Sequence, residues 1–294
     1  MISEIPEGRR PKRFDGGRLL VYGVLVVASL FFLIPLWVML MTSFKSMAEI
    51  RDGQILYWPQ HFTVDAWFRA WSSACTGLTC DGVRVGFWNS IRILVPSVIL
   101  SIMLGGLTGY AMAFYRVPGA NLLFAILLIG AFIPYQVFIY PMVRVFSMIG
   151  LYDSLAGIVL VHIIFGLSLM TLLFRNYFSS LPVELFNAAR VDGAGFYGIL
   201  RHVMLPMSAP IIIVATILQV TGIWNDFILG LTFAGRANRP MTVLLNNIVN
   251  STQGEAAYDV DMAATILTAA VPLIVYFLSG RWFVRGVAAG AVKG

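Results

Sequence analysis

The sequence predicts an all-α integral membrane protein with six transmembrane helices, and two observations carry this prediction. Hydrophobic residues make up 59% of the 294 residues and charged residues 12%, whereas soluble proteins average about 45–50% and about 25%. Six uncharged stretches also have close to or more than the ~20 residues that a bilayer-spanning helix needs. A soluble enzyme, a disordered regulator and a disulfide-rich secreted module are excluded, because a soluble domain of this size requires a polar surface.

The six apolar stretches, each free of Asp, Glu, Lys and Arg, follow one another along the chain. The first is too long for the apolar core of a signal peptide and lacks a small-residue cleavage site, so we expect it to be retained. None shows the ~10-residue alternating pattern of a membrane β-barrel. The stretches are Leu19–Phe44, Ile93–Tyr115, Val117–Val143, Ser154–Phe174, His202–Asn225 and Met262–Gly280.

The distribution of lysine and arginine predicts the orientation. Twelve of these residues fall on the side of the membrane that would hold both termini, and eight fall on the other side. Because cytoplasmic loops carry the excess of basic residues, both termini are predicted to be cytoplasmic. The long segments Lys45–Arg92 and Asp226–Asp261 then lie outside, and Arg175–His202 lies inside. Asp226, at the outer membrane edge, is expected to be solvated.

The two cysteines of the chain, Cys75 and Cys80, both lie in the first outer segment. Outside the cytoplasm such a pair can close a small disulfide loop, and the alternative is two free thiols. Two cysteines exclude a Cys-rich metal scaffold, so we expect no metal site.

The polar groups inside the spans are neutral. His162 lies well inside the fourth span and is expected to bond to a neighbouring helix, without a carboxylate partner. Hydroxyl and amide groups suit an uncharged, hydroxyl-rich solute, and the alternative is that they join helix to helix. The candidate residues of a substrate pathway are Gln136, Tyr140, Gln219, Trp224 and Asn225.

The sequence contains no nucleotide-binding loop. Its three lysines are Lys12, Lys45 and Lys293, and none follows glycine in the G-x4-G-K-[ST] pattern that cradles phosphates. A pump built on this chain must therefore dock a separate motor. The alternatives are a passive channel and a secondary carrier for a neutral solute.

The inner segment after the fourth span predicts a short helix. Pro182 suits its first position, Glu184 favours the positive end of the helix dipole, and Gly193 and Gly195 end it. One face combines residues that let another protein approach closely, namely Leu185, Ala188, Ala189 and Asp192. A second helical stretch follows, whose apolar stripe is expected along the membrane surface or against the bundle, namely Phe196, Ile199, Leu200 and Val203.

This segment resembles the cytoplasmic "EAA" signature of permeases from binding-protein-dependent ABC importers, roughly E-A-A-x-x-D-G-A, a spacer, then I/V-x-L-P. The matching residues are Asn187-Ala188-Ala189, Asp192-Gly193-Ala194, Val203 and Leu205-Pro206. In that family the segment is the coupling helix, which sits in a cleft of the ATPase subunit. Asn187 stands where the signature has Glu, which puts an ion pair there in doubt, and Glu184 can supply part of the charge.

Further motifs extend the resemblance over most of the chain. They are Phe87-Trp88-Asn89-Ser90, Ala111 to Arg116 with Gly119, and Trp224-Asn225-Asp226-Phe227, which is similar to the W-N-[DE]-F element of sugar permeases. The end of the chain, from Arg281 to Gly294, resembles the tail of the maltose-type "G" permease branch. In that branch the tail reaches the ATPase pair, which implies such a contact for Val292 and Lys293. The Cys75/Cys80 loop and residues 246–250 look most like glucose/mannose permeases.

The resemblance implies a type-1 ABC importer permease fold and a non-catalytic transport subunit of the bacterial-type cytoplasmic (inner) membrane. Its implied partners are a second homologous permease subunit, two cytoplasmic P-loop ATPases that bind ATP and Mg, and an extracytoplasmic sugar-binding protein. No cofactor is implied for this chain. The residues implied in ATPase docking are Glu184, Asn187, Ala188, Ala189, Asp192, Gly193 and Ala194.

The corresponding domain organisation has five parts. Residues 1–18 are a cytoplasmic leader, 19–44 the first transmembrane helix and 45–86 a periplasmic loop. Residues 87–283 form the permease core with the cytoplasmic coupling loop 175–207, and residues 284–294 form a cytoplasmic tail. The expected substrate is a sugar, with a monosaccharide such as glucose or mannose as the closest likeness.

Overall fold

The computed structural model describes residues 16–77, 79–250 and 256–291, and within these ranges all regular secondary structure is helical. The all-α prediction is therefore confirmed. Fourteen α-helices are numbered here in chain order, with one π-helical turn, Leu200–Met204, between α9 and α10. They are α1 (Gly16–Thr42), α2 (Met47–Arg51), α3 (Asp65–Ser72), α4 (Arg84–Phe114), α5 (Ala120–Phe132), α6 (Gln136–Met148), α7 (Leu155–Ser179), α8 (Val183–Val191), α9 (Phe196–Ile199), α10 (Leu205–Met207), α11 (Ala209–Trp224), α12 (Ile228–Phe233), α13 (Met241–Val249) and α14 (Tyr258–Ala291).

Four of the described helices are long and apolar enough to cross a membrane: α1, α4, α7 and the Tyr258–Gly280 part of α14. Two further spans arise only if a bent pair of helices counts as one span. One pair is α5 and α6, bent by 110°, and the other is Phe196–Met207 and α11, bent by 77°. The predicted total of six agrees with this second count, but the third and fifth spans are broken and not continuous helices.

Proline explains the break in the third span. Pro134 has no backbone N–H with which to continue the hydrogen bonds of α5, and it disfavours the helical conformation of the residue before it. Ile133 accordingly adopts an extended backbone, with φ −74° and ψ 128°. At 13 residues, α5 is about 20 Å long and by itself shorter than the ~30 Å hydrocarbon core.

The centre of the bundle is the close crossing of α4 and α7. Gly105 and Gly109 lie on the face of α4 that contacts α7, and a Cβ added at Gly105 would lie 2.3 Å from the Cβ of Met170. One added at Gly109 would lie 2.6 Å from the backbone nitrogen of Arg175. This is the small-x3-small arrangement that lets membrane helices approach closely. It was missed in the sequence, although the G-x3-G spacing within an apolar span is a recognisable signal.

Two apolar clusters lie at opposite ends of this crossing, and they are called outer and inner here after the predicted orientation of the chain. The outer cluster joins the ends of α4, α7, α11 and α14 to α3, α12 and α13, and it includes Val83, Ile158, Trp224, Phe233 and Val260. The inner cluster joins α4 and α7 to the segment between α7 and α11. Its buried members are Tyr110, Met170, Phe174, Phe178, Phe186, Ile199, Met204 and Ala215.

The predicted outer loop is a folded cap and not an irregular connection. Cys75 and Cys80 form a disulfide in the structure, beside α3. The amide of Asn247 in α13 donates to the carbonyl of Thr76 at 3.0 Å, and Arg69 of α3 forms an ion pair with the buried Asp259 at the start of α14. These contacts hold the cap against α13 and α14, two of the helices that form the outer cluster.

Candidate functional site

Helix α8 begins and ends as the sequence pattern indicates, with one shift. Pro182 lies immediately before the helix and not at its first position, and Glu184 is in the first turn. At the other end the backbone N–H of Ala194 donates to the carbonyl of Ala189 at 3.0 Å, while Gly193 has a φ of +78°. A left-handed glycine after the last turn is the usual way to close a helix and redirect the chain.

One aromatic side chain fixes α8 to the bundle. Phe186 is 3% exposed and stacks on Phe114 of α4, with the ring centroids 4.6 Å apart and an interplanar angle of 14°. It also makes an edge-to-face contact with the ring of Tyr115, with the centroids 5.5 Å apart. Phe186 therefore packs α8 against the end of the long helix α4.

The outward side of α8 differs in part from the predicted face. Ala189 and Ala194 pack against the inner cluster, because they lie on the same side of the chain as Phe186. The other predicted docking residues are exposed, namely Glu184, Asn187, Ala188, Asp192 and Gly193. Val191 is also exposed, at 87%, and it was not among the predicted residues.

The chain after α8 is also held by the bundle. The hydroxyl of Tyr110 donates to the carbonyl of Phe196 at 3.2 Å, and that of Tyr177 donates to the carbonyl of Met207 at 2.5 Å. Ile199 is buried, and Phe196 packs beside it in the inner cluster. Of the two predicted positions for this stripe, the structure shows the one against the bundle.

The five candidate pathway residues differ in exposure, and their role in a substrate pathway stays a prediction. Gln136, Tyr140 and Asn225 are exposed, whereas Gln219 and Trp224 are buried. The Gln219 amide lies at the α4–α7–α11 contact, beside Gly166 and Ser101, and its nitrogen has no hydrogen-bond partner. Gln219 therefore lies between three helices without a hydrogen bond from its amide nitrogen to any of them.

Trp224 is packed inside the bundle. It is 1% exposed, and its indole N–H donates to the carbonyl of Thr268 at 2.9 Å. In an α-helix that carbonyl would accept from the residue four positions later, which here is Pro272 inside α14. Since proline has no N–H, the indole occupies a carbonyl that would otherwise be unpaired in an apolar surrounding.

We therefore expect Trp224→Phe to destabilise the protein by about 1–3 kcal/mol, the cost of a buried unpaired carbonyl. Thermal unfolding in detergent measures this loss. In a Pro272→Ala background the backbone N–H at position 272 can take the carbonyl, so the same substitution should cost less. Equal losses in both backgrounds would contradict the assigned role of the indole.

A buried contact that the sequence analysis missed joins α7 to the outer end of α11. The Nε2 atom of His162 lies 4.0 Å from a carboxylate oxygen of Asp226, and the two side chains are 7% and 9% exposed. Asp226 is thus not solvated, and His162 does have a carboxylate neighbour, contrary to both expectations. Burial raises the pKa of Asp226, and the N–H groups of Gly230 and Leu229 act in the opposite direction. The two residues are far apart in the sequence, so the sequence alone does not show that they are neighbours.

Comparison with known proteins agrees with this architecture. Residues 97–289 match the family described as "Binding-protein-dependent transport system inner membrane component". The chain is 35% identical, over 74% of its length and 72% of the relative's, to the osmoprotective compounds uptake permease protein GgtD of Synechocystis. It is 32% identical, over 80% of its length and 62% of the relative's, to the alpha-glucoside transport system permease protein AglG of Rhizobium meliloti.

The fold also matches a solved transporter chain. With a TM-score of 0.75 and 21% identity, the structure aligns over 92% of its length with 99% of a chain from a bacterial ABC transporter involved in alginate import. The importer-permease fold is therefore confirmed, and the family's members are transport components and not enzymes. On the match over residues 97–289, this chain belongs to the family of inner membrane components of binding-protein-dependent transport systems.

Proposed function

We propose that this chain is one of two permease subunits of an ATP-driven sugar importer, and that α8 is its coupling helix. The observation that carries the proposal is the construction of α8. One buried ring, Phe186, fastens it to the transmembrane core, while Asn187, Ala188 and Asp192 remain exposed toward a partner. A helix that is rigidly tied on one side and open on the other is suited to transmit motion.

The partners are inferred from the family, whose transport systems depend on a binding protein. Two cytoplasmic ATPases with ATP and Mg would supply the energy, and an extracytoplasmic binding protein would deliver the solute to the outer cap. Both termini would then be cytoplasmic, with α8 on the same side. The predicted tail contacts, Val292 and Lys293, lie outside the described residues, and their contact with the ATPases stays a prediction.

Sugar as the substrate class is supported by the AglG relative, whose name specifies alpha-glucosides. A monosaccharide such as glucose or mannose is the finer proposal. It is supported by the likeness of the Cys75/Cys80 loop and of residues 246–250 to glucose/mannose permeases.

The transport cycle would use two states of the bundle. Closure of the ATPases on ATP moves α8. The contact of Phe186 with Phe114 carries this motion to α4, and the hydrogen bond between Tyr110 and Phe196 carries it to the chain before α11. A motor changes the population of two states only through contacts that differ between them. In this proposal the ATPase cleft supplies those differing contacts at α8.

Purification of the tagged protein from its native membrane in mild detergent tests this function. The expected result is recovery with a second permease and a P-loop ATPase, both identified by mass spectrometry in fixed ratio. Reconstituted vesicles should then take up sugar only with ATP and binding protein, and a protonophore should have no effect. Recovery of the chain alone, with uptake abolished by the protonophore, would indicate a secondary carrier instead.

A further inference from the structure

Asp226 is the meeting point of four elements at the outer end of α11. Its carboxylate accepts from the backbone N–H of Gly230 at 2.8 Å and from that of Leu229 at 3.3 Å, both in α12. Its backbone carbonyl accepts the hydroxyl of Thr242, in α13, at 2.6 Å. The same carboxylate faces His162 of α7 at 4.0 Å.

The broken third span packs on the same helix α7. The ring of Tyr135, which lies between α5 and α6, contacts that of Phe165 in α7, with the centroids 5.8 Å apart. Asp226 is therefore hydrogen-bonded to α12 and α13 and faces α7, and these segments are distant from one another in sequence. A buried carboxylate is retained at such a place only when several donors satisfy it.

We propose that Asp226 is a positioning residue for transport, which holds the outer end of α11 against α7, α12 and α13 while the inner end moves. This inference rests on the proposed function. Helix α11 has 16 residues and is about 24 Å long, and its inner end follows the bend beyond α9. If the outer end is held at Asp226, a displacement at the inner end becomes a rotation of α11 about that point.

The alternative is a carboxylate that only stabilises the fold. The two roles differ in what a variant changes. A purely stabilising residue would alter the amount of assembled complex, whereas the ATP hydrolysed per sugar transported would stay as in the wild type. Substitution of a positioning residue would alter that ratio in complexes that assemble normally. Without the contacts at its outer end, α11 would move when ATP is hydrolysed but would not open the transport path.

The informative substitution is Asp226→Asn. The N–H groups of Leu229 and Gly230 each bond a different carboxylate oxygen. The amide replaces one of these oxygens with an NH2 group, which donates, so one of the two N–H groups loses its acceptor at that position. Asp226→Glu keeps two acceptors and should retain most of the coupling. Asp81→Asn is the matched control, because it removes an exposed carboxylate from the same side of the protein.

The measurement is the ratio of ATP hydrolysis to sugar uptake in vesicles that contain the complete complex. For Asp226→Asn we expect this ratio to rise by about 5-fold or more, the lower end of ordinary coupling between two sites. His162→Phe removes the polar neighbour and should raise the ratio in the same direction. Asp226→Glu and Asp81→Asn should stay near the wild-type ratio.

Three results would overturn the inference. One is an unchanged ratio in assembled Asp226→Asn complex, and another is a rise of equal size with Asp81→Asn. If the Asp226→Asn complex does not assemble, the test rests on His162→Phe, and an unchanged ratio in that variant overturns the inference. Failure of the proposed function would look different, since wild-type vesicles would then show no uptake that depends on ATP.

Discussion

Gly105→Ala is expected to lower the stability of the protein by about 1–3 kcal/mol, the usual cost of forcing an extra carbon into a packed contact. The new Cβ would lie 2.3 Å from the Cβ of Met170 and 3.0 Å from its backbone carbon. Neither atom belongs to a flexible side-chain end, so α4 and α7 must separate. Thermal unfolding of the purified protein in detergent, followed by loss of monodisperse material, measures the effect.

Gly106→Ala is the control for this substitution. It introduces the same methyl group one residue later in the same helix, where the nearest atoms belong to the ring of Phe174 at 3.7 Å. That is an ordinary van der Waals distance, and alanine also has the higher helix propensity. We expect a midpoint at or above that of the wild type. Equal losses for both variants would show that the α4–α7 crossing is looser than described.

Gly193→Val is expected to uncouple ATP hydrolysis from transport while membrane insertion remains normal. Gly193 has a φ of +78° and no atom within 4 Å of an added Cβ, so the cost lies in the backbone. A left-handed conformation costs other residues about 1–2 kcal/mol, and a β-branched side chain is especially unsuited to it. The strain is relieved if the chain after α8 moves, which displaces the proposed docking surface.

The control is Gly195→Ala, two residues along the same turn. Gly195 has a φ of −79° and a ψ of 179°, a conformation that alanine adopts without strain, and it too has no atom within 4 Å of an added Cβ. ATP hydrolysis and sugar uptake are measured in the same vesicles for both variants. Transport at the wild-type level in Gly193→Val would contradict the assignment of α8 as the coupling helix.

The positions of proline and glycine explain which helix ends could be predicted from the sequence and which could not. Pro182 and Gly193 mark both ends of α8, because each acts through its own backbone torsion angles. Pro134 acts in the same local way, yet the third span was predicted as continuous, since an apolar stretch does not reveal whether its helix bends. The 110° bend at that break depends on what the two halves pack against.

The candidate pathway shows where reasoning from residue type ends. Gln219, Trp224 and Asn225 lie close together in sequence, and all are polar or amphipathic. The structure buries the first two and exposes the third, because successive residues of a helix point in different directions. Which direction meets another helix is decided by the packing of α11 on α4 and α14.

By itself, the sequence determined the helical membrane class and the position of the inner helix α8, since hydropathy and helix-ending residues act over short stretches of chain. Tertiary structure alone decided that Trp224 pairs with the carbonyl freed by Pro272, that Ala189 turns toward the bundle, and that Asp226 lies buried beside His162. These contacts join residues on different helices, and their energies depend on burial, which is set only when the helices have packed.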